Sequence, residues 1–143
     1  MYARGCLIGL TRGTSREHII RAAQESIAYQ VNDLLDAMAR DTGVPLASLS
    51  VDGGASRDSF LMQFQADISN CTIRRPVIRE TTALGACYLA GLATGVWKDR
   101  QELKRLWRCD TLYAPHMETQ ERVRLLDGWN KAVSRSLDWA PHN

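Results

Sequence analysis

The chain has 143 residues, 45% of them hydrophobic, with 18 basic and 16 acidic side chains and a net charge of +2. That suits one domain with a packed core and excludes a disordered chain. The charge balance argues against nucleic acid or a membrane surface as partner. Every apolar run is broken well before the roughly 18 residues of a membrane span.

The start, Met1-Tyr2-Ala3-Arg4-Gly5, carries no signal-peptide pattern, which points to the cytoplasm. The four cysteines, Cys6, Cys71, Cys87 and Cys109, form no C-x-x-C pair and are expected as free, mostly buried thiols. Residues 2–10 are a short apolar lead-in, and Thr11-Arg12-Gly13 is a turn.

A long helix is expected from Thr14, with Thr14 and Glu17 as a capping box. Ile20, Ala23, Ile27, Val31, Leu34 and Met38 recur on one helical face, read here as its buried side. Gly43 is the expected left-handed cap. A strand follows over Ser48–Val51, with Leu49 and Val51 on its buried side. Asp52-Gly53-Gly54 then turns the chain into a helix expected from Arg57 to Ser69, capped by Ser56. The N-terminal end of such a helix favours a phosphate, yet the same pattern also fits a plain tight turn. It is not the G-x-G-x-x-G of a dinucleotide site.

Phe60, Phe64 and Ile68 lie four apart on a core face. Cys71-Thr72-Ile73 reads as a second strand, stopped by Pro76. A helix from Thr81 to Gly95 is built early from Ala83, Gly85, Ala86, Ala90 and Gly91, a composition for close packing against a neighbour. Asp99–Trp107 is a short helix with Leu103, Leu106 and Trp107 inward, and Thr111–Pro115 is extended. An amphipathic helix is expected over Met117–Trp139. The alternation defines an α/β chain without internal repeats.

Three segments carry a family resemblance. Ser48–Ala55 followed by Phe60-Leu61-Met62-Gln63-Phe64-Gln65-Ala66-Asp67 resembles the adenosine motif of the FGGY carbohydrate kinases. Arg79-Glu80-Thr81-Thr82-Ala83-Leu84-Gly85-Ala86 resembles that family's next signature, and Gly9–Gly13 with His18–Ala22 and Glu25–Gln30 resembles the stretch before both. The resemblance implies a ribonuclease-H-like, actin-like ATPase fold. Residues 1–143 would be the C-terminal part of its second domain, without that domain's first three antiparallel strands. It also implies transfer of the γ-phosphoryl of ATP, with Mg, to a sugar or polyol hydroxyl.

Gly53, Gly54 and Asp58 are the implied nucleotide contacts, Asp58 on the adenine side. Where the most similar members usually have Asn, this chain has Asp58, which when ionised only accepts hydrogen bonds. Gln24 is a second departure, at a position that tends to be hydrophobic in the family. The catalytic aspartate, the Mg ligands and the phosphate-binding turns lie upstream in family members, so this chain holds no implied catalytic or metal residue. The implied partners are adenine nucleotide and the N-terminal portion of the kinase. Only two strands are expected, with an open edge at Val51 that favours self-association into a homo-oligomer. The motifs lie nearest the polyol-phosphorylating members. A kinase of xylulose, ribulose or gluconate, or a non-catalytic interaction domain, is the alternative.

Overall fold

A computed structural model describes residues 2–141. The elements are α1 (Arg16–Thr42), β1 (Ser48–Ser50), a 3-10 turn (Gly54–Arg57), α2 (Ser59–Ser69), β2 (Thr72–Pro76), α3 (Thr81–Thr94), α4 (Arg100–Leu106), β3 (Cys109–Tyr113) and α5 (Thr119–Ser136).

Helix α1 begins one residue later than its sequence suggests. The Thr14 hydroxyl accepts from the Thr11 N–H at 2.9 Å, closing the preceding turn. Ser15 therefore takes the capping position, and its N–H donates to His18 Nδ1 at 3.0 Å. The box is Ser15 and His18 rather than Thr14 and Glu17. Glu17 still bonds to Ser15, which holds its exposed carboxyl below the usual range. At the far end Gly43 adopts the left-handed conformation and its N–H donates to the Ala39 carbonyl at 2.9 Å, as expected.

Helix α2 is the centre of the packing. Seven of its eleven residues are buried, from Leu61 to Ile68, so it is covered on most of its circumference rather than along one stripe. Beneath it, Ile73 of β2 is fully buried, as is Ile68 on α2 itself. Each such side chain contributes roughly 2–3 kcal/mol by leaving water. On the other side, Tyr29 of α1 meets the edge of Phe64 at 5.5 Å and stacks on Trp129 of α5 at 5.1 Å. Trp129 Nε1 donates to Asp33 at 2.8 Å, pinning α5 to α1. Arg122 Nε donates to the Ile68 carbonyl at 2.7 Å, which ties α5 to the end of α2. The buried Asp67 carboxylate accepts from the His116 and Met117 N–H groups at 2.8 and 3.3 Å and so fixes the entry into α5.

The sheet has three strands in the order β1-β2-β3, the first pair parallel and the second antiparallel. The expectation of two strands is corrected: the extended stretch around Thr111 is a full partner of β2, and Tyr113 lies opposite Ile73. Pro76 does not stop the pairing. It lies opposite Cys109 beyond a register shift, and the Val77 N–H still donates to the Arg108 carbonyl at 3.0 Å. Among the described residues β1 pairs only with β2, so its other edge is open.

Several faces expected to be buried are not. On α1 only Ala28, Tyr29 and Asn32 are buried, whereas Ile20, Ile27, Leu34 and Met38 are 48%, 46%, 61% and 52% exposed. The helix turns the flank of its apolar stripe to the core and leaves the rest open. Helix α3 contributes no residue to the core, and its Ala83, Ala86 and Ala90 are exposed. Its single buried residue, Gly91, lies under the ring of Trp97, where a Cβ would collide. Leu106 and Trp107 are also exposed rather than inward, with Trp107 stacked on the Arg74 guanidinium at 4.4 Å. Helix α5 is shorter than expected at both ends. Only Cys71 of the four free cysteines is buried, which pushes its thiol pKa up. No helix among the described residues is long and apolar enough to cross a membrane.

Burial between α2 and α5 pushes the Tyr29 hydroxyl up to about 12 from 10.0. The folded chain therefore keeps Tyr29 neutral above pH 10, where the unfolded chain ionises. The associated stability, about 3 kcal/mol, is complete below pH 10 and is lost as pH rises from 10 towards 12. Urea unfolding at stepwise pH should show this loss, and Tyr29→Phe should shrink it.

Candidate functional site

The turn between β1 and α2 brings Gly53, Gly54 and Asp58 together at one corner of the sheet. Gly53 has φ 74° and ψ −173°, a conformation that is essentially restricted to glycine. Its N–H donates to the Arg79 carbonyl at 2.9 Å, and its carbonyl accepts from the buried Ser56 hydroxyl at 2.7 Å. Ser56 thus closes the turn from within instead of capping a helix. Gly54 is exposed, and a Cβ built there meets nothing within 4 Å. A ligand can reach its backbone directly.

A polar network supports the turn from behind. Arg75 Nη1 donates to the Ser56 carbonyl at 3.3 Å, and Arg75 Nη2 donates to Thr111 Oγ1 at 2.9 Å. Asp110 pairs with Arg75 at 3.1 Å and with Arg79 at 3.7 Å. Asp110 is therefore committed to structure. Among the described residues no group of three His, Cys, Asp or Glu side chains is placed to hold a metal ion.

The helix expected from Arg57 is in fact two elements. The 3-10 turn ends at Arg57, and Asp58 is the residue that caps α2. Its Oδ1 accepts from the Phe60 and Leu61 N–H groups at 2.9 and 3.1 Å. The positive end of α2 is thus already occupied by a carboxylate, which corrects the reading of this helix terminus as a phosphate site. Asp58 Oδ2 accepts from Gln24 Nε2 at 2.5 Å. The sequence treats Gln24 and Asp58 as separate departures from the family pattern, yet in the fold they are bonded partners across α1 and α2. No local pattern could have linked two residues 34 positions apart.

Two concavities lie elsewhere. One, of about 420 Å³, lies between the segment Leu7–Leu10 and the start of α1, and the other, of about 380 Å³, lies between α1, α2 and α5. Neither is lined by Gly53, Gly54 or Asp58.

Residues 2–94 match the FGGY family of carbohydrate kinases, C-terminal domain. The chain belongs to this family. It is 59% identical over 140 residues to glycerol kinase from Brachyspira hyodysenteriae, a match that covers 98% of this chain and 28% of that protein. Among solved structures, Plasmodium falciparum glycerol kinase with ADP superposes with a TM-score of 0.84 at 39% identity, covering 94% of this chain and 27% of that one. A ligand-bound xylulose kinase from Lactobacillus acidophilus superposes with a TM-score of 0.74 at 27% identity, covering 94% and 28%. The fold is therefore part of the actin-like ATPase fold of these kinases. The chain spans little more than a quarter of the length of the relatives it matches.

The two glycines should answer differently to substitution. Gly53→Ala meets the strained backbone and should cost about 1–3 kcal/mol in urea unfolding. Gly54→Ala, with open space at Cβ and no positive φ, should stay within about 0.5 kcal/mol of the parent.

Proposed function

We propose that this chain is the nucleotide-side portion of an ATP-dependent glycerol kinase, which converts glycerol and ATP to glycerol 3-phosphate and ADP. The observation that carries the choice of substrate is identity over the same span: 39% with the glycerol kinase and 27% with the xylulose kinase, each over 94% of the chain. In this reading residues 1–143 form the C-terminal part of the second kinase domain. Gly53 and Gly54 present bare backbone to the nucleotide, and Asp58 stands on its base side. ATP arrives with Mg, for which no residue of this chain is assigned. The general base and the phosphate-binding turns belong to the remaining portion of the enzyme.

Phosphoryl transfer needs the nucleotide, the metal and the attacking hydroxyl held together, so the chain alone is not a kinase. The open stripe of Ile20, Ile27, Leu34 and Met38 supports the same reading. An apolar face of this extent calls for a cover, and the larger part of the enzyme supplies one. The free edge of β1 accepts a further strand from that part, or from a second copy of this chain. The enzyme acts in the cytoplasm.

Isothermal titration with ADP tests the nucleotide wall. The chain should bind ADP weakly, and Gly54→Val should weaken binding at least about tenfold, because a branched Cβ fills the space the ligand needs. Undiminished binding by a folded Gly54→Val variant would overturn the role given to this backbone.

A further inference from the structure

We propose that Arg75 is a positioning residue for nucleotide binding: from β2 it locks the Gly53-Gly54 turn in one geometry, acting through Ser56 and not on the ligand. The proposal rests on the nucleotide reading of that turn.

A glycine turn does not hold its own shape. Gly53, at φ 74° and ψ −173°, has other conformations open to it at little cost. In the fold both of its polar backbone groups are tied. Its N–H donates to the Arg79 carbonyl at 2.9 Å, and its carbonyl accepts from the Ser56 hydroxyl at 2.7 Å. That carbonyl shares one planar peptide unit with the Gly54 N–H, so holding one aims the other in the opposite direction. Gly54 itself is exposed, with open space where a Cβ would stand. Ser56 thus sets what a ligand meets at Gly54.

Ser56 can do this only while its own backbone stays in place. From outside the turn, Arg75 Nη1 holds the Ser56 carbonyl at 3.3 Å, across 19 positions of sequence. The guanidinium is itself fixed by β3. Nε and Nη2 lie 3.2 and 3.1 Å from Asp110 Oδ2, Nη2 donates to Thr111 Oγ1 at 2.9 Å, and the Tyr113 ring centre lies 5.5 Å away. The Arg75 side chain is only 11% exposed. Asp110 Oδ2 also lies 3.7 Å from Arg79 Nη2. The contacts therefore close a ring from Gly53 through Ser56, Arg75, Asp110 and Arg79 back to Gly53. A lysine at position 75 keeps the charge beside Asp110 but has one nitrogen in place of a rigid fork of three, and it cannot reproduce this set.

Amide hydrogen exchange and isothermal titration with ADP, on the parent chain, Arg75→Lys and Asp110→Asn, test the proposal. Exchange at Gly53 reads the turn without a ligand, and exchange at Ile68 and Ile73 reads the core. Arg75→Lys should speed Gly53 exchange about tenfold and weaken ADP binding about tenfold, the worth of one bond from a charged donor. Exchange at Ile68 and Ile73 should not change. Asp110 is 38% exposed, so Asp110→Asn should keep the fold while showing both effects at smaller size; if Arg75→Lys unfolds, Asp110→Asn decides alone. Three results overturn the proposal: Gly53 exchange as slow as in the parent, core exchange that rises along with it, or undiminished ADP affinity in a variant with a loosened turn. Failure of the parent to bind ADP, with Gly53 exchange still responding to Arg75→Lys, removes the nucleotide reading and the positioning role with it.

Discussion

The packing of α2 against everything around it holds the molecule together. A strand of three residues, β1, and two of five have little stability by themselves. They persist because Ile68, Ile73 and their neighbours share one core, and because Tyr29 and Trp129 clamp the opposite side of α2. The start of α2 is therefore fixed in space, and Asp58 fixes it. Asp58 caps the helix with its carboxylate and ends the 3-10 turn with its backbone N–H, which donates to the Ala55 carbonyl at 3.2 Å. The turn is thus tied to the core through one residue, while Arg75, Arg79 and Asp110 buttress it.

The distribution of apolar surface follows from the same arrangement. Helix α2 is enclosed, but α1 and α3 touch the core along one flank or not at all. Leu34 and Leu89 are 61% and 73% exposed, unusual for large aliphatic side chains at helical spacing. No other element among the described residues covers these faces, in a chain that matches little more than a quarter of its relatives' length. The glycine turn shares that character, since Gly54 is exposed and a Cβ there would meet nothing within 4 Å.

Much of this was legible in the residues. The order of helices and strands, the left-handed cap at Gly43 and the glycine turn follow from local chemistry, and each is found near its expected place. The family was legible too, because three motif segments occur in the right order. What escaped was non-local. The pairing of Tyr113 with Ile73, which makes β3 a strand, depends on residues 40 positions apart and leaves no periodic trace. Along α1, periodicity reports which residues share a face, not whether a partner is present to cover it, and the stripe is open. At the site, Ser56 and Asp58 are both competent caps by composition. Only the fold decides that Ser56 bonds back to Gly53 and leaves the cap to Asp58. Gln24 is visible in the sequence only as a departure from the family pattern; its bond to Asp58, at the start of another helix, leaves no local trace.

The central claim is that this chain supplies one side of a kinase site that another portion completes. The most direct measurement is glycerol-dependent ADP formation by the chain alone and by the chain mixed with the part of a glycerol kinase preceding the matched stretch. The account predicts no turnover from the chain alone and measurable turnover from a one-to-one complex of the two pieces. Glycerol phosphorylation by the isolated chain would contradict it.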